Sequence, residues 1–229
     1  MRPYVVVNVA MSADGKLSTR ERRQVRISGK QDFTRVDRLK AGCDAVMVGI
    51  GTVLADDPSL TVKGEDCRQH RIDQGFPEHP ARIVVDSHAR IPPNASVLNK
   101  GSGCRILAVS EVADLVKVAA LKPYATVICT GKEEVDLAAL MDELGARGIR
   151  RLMLEGGGEL IAGMMKAGLV DEIYTFIGNM IIAGRNAPTL ADGEGFIVEA
   201  EFPRLSLIEM RRIEQGVLLH WKVEQPDQL

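Results

Sequence analysis

Short apolar runs that alternate with helix-like segments are the feature that most restricts how this chain can fold. Seven runs of four to seven residues have the length and apolar content of β-strands. They are Tyr4 to Ala10, Ala45 to Val48, Arg82 to Val85, Arg105 to Val109, Thr126 to Cys129, Arg151 to Leu154 and Glu172 to Ile177. Alternating strands and helices are typical of an α/β sheet with helices on both faces. We therefore predict one α/β domain over residues 1–229.

Two of the segments between these runs have contrasting patterns. Ser28 and Gln31 have the spacing of a capping box, and apolar residues then recur every three positions from Phe33 toward Gly42. This pattern predicts a helix that Ser28 caps. Residues 64–80 are polar, include two prolines and lack periodicity, so we predict a surface loop there.

The C-terminal part of the chain predicts a change of strand direction. Two strand-like segments, 204–213 and 217–223, are joined by Glu214, Gln215 and Gly216. Gly216 occupies the position where a hairpin turn needs a positive φ. We therefore expect an antiparallel hairpin to close a mostly parallel sheet.

Composition excludes several classes of function. The 29 basic and 31 acidic side chains give a net charge of -2, which argues against nucleic acid as a partner. No apolar run reaches the roughly 18 residues that span a bilayer, so no membrane partner is expected. Only three residues precede the first strand and they do not resemble a leader, so we expect a cytoplasmic protein. The four cysteines lie far apart, which predicts neither a metal site nor a disulfide framework.

The segment after the strand at 45–48 has residues that could approach a ligand closely. Gly49 and Gly51 lack the side chains that would keep a phosphate or ribose at a distance, and Thr52 adds a hydroxyl. The alternative is that the glycines make a tight strand-to-helix connection and that residues 56–58 end the short helix.

Three other strand ends carry candidate binding residues, because ligands of open α/β sheets bind at the carboxyl ends of strands. Residues 155–160, EGGGEL, open a helix with three glycines and predict a pyrophosphate site, although a glycine-eased turn is the alternative. Ser87, His88 and Arg90 could hold a ribose or its 2′-phosphate, or form a solvated turn. Residues 10–12 could line a flat pocket.

Absent motifs narrow the chemistry further. No G-x-G-x-x-G follows the first strand, which disfavours an ordinary dehydrogenase. The H-x-E and P-C-x-x-C signature of zinc deaminases, the G-x-S-x-G nucleophile elbow and the P-loop are also missing.

Taken together, five segments in order resemble the reductase of riboflavin biosynthesis. These segments are residues 11–17, 38–63, 82–92, 151–160 and 167–177. The resemblance implies a dihydrofolate-reductase-like fold, NADPH as cofactor and a homodimer. The chain is similar to the stand-alone archaeal and fungal form, whose substrate is 2,5-diamino-6-ribosylamino-4(3H)-pyrimidinone 5′-phosphate. Fused bacterial enzymes reduce the deaminated uracil instead.

The resemblance also implies roles for individual residues. It places Thr52, Asp56 and Ser87 at NADPH, with its pyrophosphate on Gly156, Gly157, Gly158, Glu159 and Leu160. The strand ends considered above add Ala10 and Gly51 as cofactor contacts. The substrate would contact Leu60, Lys63 and Glu155, with Lys40 and Lys63 near its 5′-phosphate. The fused bacterial enzymes usually have arginine at both lysine positions.

The implied reaction is hydride transfer from the nicotinamide to C1′ of the ring-opened ribose. Glu155 would bind the aminopyrimidine edge, and no residue is assigned as catalytic, because no histidine is well placed by sequence. Three different functions stay open beside it: a reductase of the deaminated uracil, a dihydrofolate or pteridine reductase, and a non-catalytic nucleotide-sensing domain.

Overall fold

A computed structural model describes residues 1–224 of the chain. Nine strands form one mostly parallel sheet, and their limits agree closely with the predicted runs. The strands are β1 Tyr4–Met11, β2 Ala45–Gly49, β3 Ala81–Val85, β4 Arg105–Val109, β5 Thr126–Cys129, β6 Arg151–Leu154, β7 Glu172–Ile177, β8 Leu205–Ile213 and β9 Gly216–Val223. The helices are α1 Lys30–Ala41, α2 Ile50–Asp56, α3 Glu65–Asp73, α4 Ser96–Asn99, α5 Leu115–Leu121, α6 Leu137–Ala146 and α7 Gly158–Lys166. The predicted α/β fold class is confirmed.

The chain divides into two compact units. The first consists of Met1–Pro3 and Val36–Met153, and the second of Tyr4–Arg35 together with the described residues from Leu154 onward. The single domain that we predicted over residues 1–229, the last five of which lie outside the described range, stays a prediction. None of the helices within residues 1–224 combines the length and apolar character that crossing a bilayer requires.

The first unit has its core around the strands in the order β5-β4-β3-β2-β6. Every residue of β2 is buried, as expected for a parallel strand that is covered on both faces. Val48, Val84 and Leu107 come from three neighbouring strands and belong to one buried apolar cluster. Each such side chain contributes about 1.5–3 kcal/mol when it leaves water. This core fixes the ends of β2 and β3, where candidate ligand residues follow.

The second unit contains the strands in the order β1-β7-β9-β8, in which β9 is antiparallel to both its neighbours. The predicted hairpin is therefore confirmed, but the reason given for its glycine is wrong. Glu214 has the positive φ, 53°, whereas Gly216 is the first residue of β9. A Cβ on Gly216 would collide with the ring of Phe176 and with the carbonyl of Ile177. Close packing, not turn geometry, requires glycine at this position.

The start of α1 also differs from the prediction. The helix begins at Lys30, so the expected cap, Ser28, lies too early in the chain. The backbone N–H of Gln31 donates to the carboxylate of Glu214, which lies in the hairpin turn. Phe33, which we expected on the apolar face, is 51% exposed. A long-range acidic cap replaces the local capping box.

The loop predicted for residues 64–80 is wrong in its first half, which forms α3. Polar contacts attach this helix to the rest of the chain, and its sequence therefore lacks the apolar periodicity by which a helix is recognised. Arg71 is 4% exposed, and its guanidinium donates to the carbonyls of Ala41, Cys43 and Pro77. Burial lowers the pKa of Arg71, because the charged form loses hydration.

Candidate active-site residues

The connection from β2 to α2 is as short as the sequence suggests. Gly49 is extended, with φ -78° and ψ 154°, and no side chain caps the helix that follows it. Gly51 is exposed and Thr52 partly exposed in the first turn of α2. The end of α2 confirms the predicted helix stop, because Asp57 is left-handed with φ 41° and its N–H donates to Val53 O at 3.0 Å.

Two adjacent acids at the end of α2 have different environments. The carboxylate of Asp57 accepts the N–H and the hydroxyl of Ser96, both at 2.7 Å, and the backbone bond is the main cause of its lowered pKa. The side chain of Asp56 is exposed, yet nearby protein atoms remove part of the hydration of its carboxylate, which raises its pKa. Asp57 is therefore engaged in holding the chain, and Asp56 is the acid that projects from the helix end.

The segment from Leu60 to Lys63 has a strained backbone and a polar cluster. Leu60 is 4% exposed at φ 55°, a left-handed conformation that leucine rarely adopts. The ammonium of Lys63 donates to the hydroxyls of Ser59 at 2.7 Å and Thr61 at 2.8 Å. Two hydroxyls and one ammonium group within hydrogen-bond distance of each other form a set of donors that suits phosphate oxygens.

Asp37 fixes the backbone of the same segment. Its carboxylate accepts the N–H of Lys63 at 2.8 Å and the N–H of Gly64 at 2.6 Å. The sequence analysis missed Asp37, Ser59 and Thr61, because Asp37 lies on α1, 26 residues earlier in the chain than Lys63. Lys40, the other predicted phosphate residue, is on the same helix and is 9% exposed.

The turn after β3 holds Ser87 in a fixed position. Its hydroxyl accepts the N–H of Val135 at 3.1 Å, and its carbonyl accepts the hydroxyl of Ser110 at 2.8 Å. His88 and Arg90 from the same turn are exposed. A serine hydroxyl that accepts from the protein can still donate its own proton, so Ser87 is suited to contact a ligand oxygen.

The glycines before α7 have a conformation that other residues rarely adopt. Gly156 has φ 136° and Gly157 has φ 93°, and no side chain caps the helix that follows. By contrast, α5 and α6 are capped by the preceding Asp114 and Asp136, whose carboxylates accept backbone N–H groups. A helix start without an acidic cap keeps its positive dipole end suitable for an anion.

Gly158 is required for a different reason, which the sequence did not reveal. Asp192 donates its N–H to Gly158 O at 3.1 Å, and Thr189 donates its hydroxyl to the Asp192 carboxylate at 2.6 Å. A Cβ on Gly158 would overlap that carboxylate and lie 2.9 Å from Thr189 O. The turn at 189–192 therefore packs directly on the first residue of α7, so this glycine alone does not indicate a phosphate.

The end of β1 serves the packing of the second unit as well as a possible pocket. Ala10 packs against the buried cluster that contains Phe176 and Leu218. After the strand, the carboxylate of Asp14 accepts the Ser12 hydroxyl at 2.6 Å and the N–H of Ala183 at 2.8 Å. These bonds, with the Ser12 hydroxyl as the largest effect, lower the pKa of Asp14 to about 2. Asp14 thus connects its own loop to the loop that contains Ala183.

The acid–base groups near these elements give no clear proton donor. Glu155 directly follows β6 and is partly exposed. His220 stacks on Tyr174 with ring centres 3.9 Å apart, and its Nε2 lies 3.3 Å from the Glu172 carboxylate. Over residues 1–224 no group of three or more His, Cys, Asp or Glu side chains is arranged to hold a metal ion.

Comparison with known proteins identifies the family. The RibD C-terminal domain matches residues 3–219. The chain belongs to this family. It is 48% identical over 208 residues to a 2,5-diamino-6-ribosylamino-4(3H)-pyrimidinone 5′-phosphate reductase from Archaeoglobus fulgidus, covering 91% of this chain and 94% of the relative. A protein of the same name from Methanothermobacter thermautotrophicus is 45% identical over 98% of this chain and 100% of its own length.

Solved structures agree with this assignment. A RibD structure from Acinetobacter baumannii superposes with a TM-score of 0.79 and 25% identity, covering 98% of this chain and 59% of that protein. The chain therefore spans less than two thirds of the RibD structure, whereas it matches nearly the full length of the two archaeal relatives.

The predicted site residues fall into two sets. The first unit contains Lys40, Gly51, Thr52, Asp56, Leu60, Lys63 and Ser87. The second unit contains Ala10, Glu155, Gly156, Gly157, Gly158, Glu159 and Leu160. The roles of all these residues in binding stay predictions.

Proposed function

We propose that this protein is an NADPH-dependent reductase of riboflavin biosynthesis. It would reduce the ribosyl group of 2,5-diamino-6-ribosylamino-4(3H)-pyrimidinone 5′-phosphate to a ribityl group. The observation that carries the proposal is the similarity of almost the whole chain to two archaeal reductases of that name. A dihydrofolate-reductase-like fold and a homodimer are part of the proposal, and the cytoplasmic location stays a prediction.

The residues that would hold NADPH fit an anionic dinucleotide. In the second unit, the glycine N-terminus of α7 has an uncapped positive dipole end, which supports pyrophosphate binding by Gly156 to Leu160. In the first unit, Thr52 and Ser87 offer hydroxyls and Asp56 offers a carboxyl, groups that hydrogen-bond ribose and amide functions. Ala10 and Gly51 supply small surfaces against which a flat group can lie. Bound NADPH would supply the hydride.

The residues proposed for the substrate are suited to a phosphorylated aminopyrimidine. The Lys63 ammonium with the hydroxyls of Ser59 and Thr61 forms the proposed 5′-phosphate contact, and Lys40 adds a second positive charge. Asp37 holds the backbone of Lys63 in place, so less freedom is lost when the phosphate binds. Glu155 would accept hydrogen bonds from adjacent ring N–H and amino groups.

A turnover assay with two substrates tests the reaction directly. Purified protein and NADPH are mixed with the diaminopyrimidinone phosphate or with its deaminated uracil, and loss of the reduced nicotinamide is followed. We expect faster oxidation with the diaminopyrimidinone. A preference for the uracil would indicate the bacterial order of steps. Oxidation only with dihydrofolate or a pterin would refute the proposal in favour of a pteridine reductase, and NADPH binding without turnover would refute it in favour of a nucleotide-sensing domain.

Cofactor binding is tested by one substitution in each unit. Thr52→Val removes a hydroxyl, and Gly157→Val forces a branched side chain into a position with φ 93°. We expect each variant to weaken NADPH binding at least about tenfold, equivalent to one good hydrogen bond or more. Thr52→Ser retains the hydroxyl and should bind as the unmodified protein does. Unaltered NADPH affinity in both Val variants would contradict the cofactor assignment.

Substrate binding is tested at Lys63 and Glu155. Lys63→Met should raise the KM for the phosphorylated substrate at least about tenfold, because a charge-assisted phosphate contact is lost. Lys117→Met, at an exposed lysine on α5, is the matched control and should leave KM unchanged. Glu155→Gln should lower substrate affinity while NADPH affinity stays the same. Unchanged substrate affinity and turnover in Glu155→Gln would show that this assignment is wrong.

A further inference from the structure

His79 is a buried histidine outside the residues proposed to bind either ligand. It lies between α3 and β3 and is 6% exposed. Its Nδ1 is buried and has no hydrogen-bond partner within residues 1–224, and its Nε2 is 3.6 Å from the Glu78 carboxylate. Because an unpaired buried polar atom destabilises a fold, the place of this ring needs an explanation.

The ring of His79 meets the side chain of Thr61 at Gly101. A Cβ on Gly101 would lie 2.7 Å from Cδ2 and 2.8 Å from Nε2 of His79, and 2.8 Å from the methyl carbon of Thr61. The imidazole and this methyl group therefore border the same small space, which the backbone of Gly101 closes. Thr61 is itself 7% exposed, so its side chain is closely surrounded.

The position of the Thr61 methyl group fixes the direction of the Thr61 hydroxyl. Both groups are on one Cβ, and a β-branched side chain has few permitted χ1 angles. The hydroxyl accepts the Lys63 ammonium at 2.8 Å and shares a hydrogen bond of 2.9 Å with the hydroxyl of Ser59. A rotation about χ1 to another staggered position would move the hydroxyl away from both partners.

The loop that carries Gly101 is held in place by Arg82, which is fully buried. The guanidinium donates to the backbone carbonyls of Lys100, Ser102 and Gly103. The Ser102 hydroxyl donates to the Glu78 carboxylate at 3.1 Å, which connects this loop to the residue before His79. Gly101 and His79 are thus fixed by bonds that do not include the threonine, so together they form a rigid support for it.

The charged groups around His79 favour a neutral ring. Arg68 comes from α3, Arg82 from β3 and Lys63 from the segment before α3, and Glu78 precedes the histidine. Burial is the main cause of the lowered pKa of His79, and the three cations lower it further against the opposing effect of Glu78. A neutral imidazole does not repel the Lys63 ammonium, so it can support this group without weakening its position.

We propose that His79 is a positioning residue of the 5′-phosphate contact, whose ring holds the Thr61 methyl group so that the Thr61 hydroxyl anchors the Lys63 ammonium. The inference rests on the phosphate contact in the proposed function, but not on which pyrimidine is reduced. Because the ammonium is held in advance, it loses less freedom when a phosphate binds. Loss of the ring should therefore weaken the binding of a phosphate and leave a ligand without a phosphate unaffected.

Inorganic phosphate is the probe, because its affinity can be measured by phosphorus NMR titration without turnover. His79→Ala should raise the phosphate dissociation constant at least about fivefold, since the threonine hydroxyl loses its support. Thr61→Ser should have a similar effect by a milder change, because it retains the hydroxyl but removes the methyl group that the ring supports. His70→Ala, at an exposed histidine on α3, is the matched control and should leave the affinity unchanged. Circular dichroism confirms that the variants fold.

A double-mutant cycle distinguishes this role from a general loss of packing. In the Thr61→Ser background, His79→Ala should raise the phosphate dissociation constant less than about twofold, because the methyl group through which the ring acts is already absent. In turnover assays, His79→Ala should raise the KM of the phosphorylated pyrimidine at least about fivefold, and the change should fall on KM rather than on kcat. The KM of the same pyrimidine without its phosphate should stay the same.

Unaltered phosphate affinity in either His79→Ala or Thr61→Ser would overturn the inference, even if the chain reduces a pyrimidine. An unmodified chain that binds no phosphate would also overturn it. Equal effects of His79→Ala with and without the Thr61 methyl group, or with and without the substrate phosphate, would show a general packing role instead. A chain that binds phosphate but reduces neither pyrimidine would refute the proposed reaction, and the phosphate affinities of the variants would still decide the role of His79.

Discussion

The contact between Gly158 and the 189–192 turn allows a sharp test of why α7 begins with glycine. In Gly158→Ala, the new methyl group would overlap the Asp192 carboxylate and lie 2.8 Å from Asp192 Cγ and 2.9 Å from Thr189 O. Gly158 does not have a positive φ, so alanine brings no backbone strain at this position. The effect of the substitution is therefore a packing effect alone.

The size of this effect follows from two opposing contributions. Forcing an extra methyl group into a filled space costs about 1–3 kcal/mol. Replacing glycine by alanine in a helix stabilises the folded state by at most about 1 kcal/mol. Because the contacts at Gly158 are short enough to overlap, we take the upper part of the packing cost, about 2–3 kcal/mol, and expect a net loss of about 1–2 kcal/mol in the free energy of unfolding, or about 2–8 °C in Tm for a chain of this size.

Urea and thermal unfolding of four variants measure the expected coupling. Asp192→Gly removes the side chain that alanine would overlap most closely, so Gly158→Ala should cost less in that background, where the contact with Thr189 O remains. Gly42→Ala is the matched control, because its Cβ would lie 3.5 Å or more from the nearest atoms and meet no clash. An unchanged Tm for Gly158→Ala, or an equal loss with and without the Asp192 side chain, would refute the reasoning.

Three further predictions follow from groups outside the proposed binding sites. The pKa of Asp14 is about 2 in the folded chain, below its ordinary value of 3.8, so its stabilising effect is complete above about pH 4 and disappears as the pH falls through 2. Asp14→Asn should remove this part of the pH dependence of Tm, and a parallel pH profile in the variant would contradict it. Arg71→Met should lower the free energy of unfolding by about 2–4 kcal/mol in urea, because buried carbonyls lose their donor; a loss below about 0.5 kcal/mol would contradict this. Burial raises the pKa of the Cys43 thiol to about 11, so a thiol reagent at pH 8 should modify the exposed Cys104 and Cys129 rapidly and Cys43 only after unfolding.

Local patterns predicted most of the strands correctly because their information is contained in neighbouring residues. The runs at Arg105–Val109 and Glu172–Ile177 form strands with the expected limits, since an apolar run of this length must be covered to leave water. The helix stop at Asp57 was also predictable, because an acid followed by proline disfavours continuation of a helix. Sequence likewise identified the family resemblance, which the comparison with known proteins confirms.

The errors occur where a distant residue supplies what a local one was expected to supply. Glu214 caps α1 in place of Ser28. In α3, which has no apolar period, the guanidinium of Arg71 donates to the carbonyl of Pro77 outside the helix. Gln31 and Glu214, the two partners of the α1 cap, are 183 residues apart, and no local spacing rule includes such a pair. Phe33 is exposed for a related reason, because the tertiary fold determines which face of a helix is covered by other elements.

What the sequence by itself determined is the kind of elements in this chain, their order, and the glycine and hydroxyl residues at the strand ends. The tertiary structure alone decided which distant atoms several residues contact. Gly158 accommodates the 189–192 turn, Gly216 accommodates Phe176, and Asp37 fixes the backbone of Lys63. The physical reason is that secondary structure depends on neighbours along the chain, whereas close packing and hydrogen-bond partners depend on atoms that only folding brings within a few ångströms.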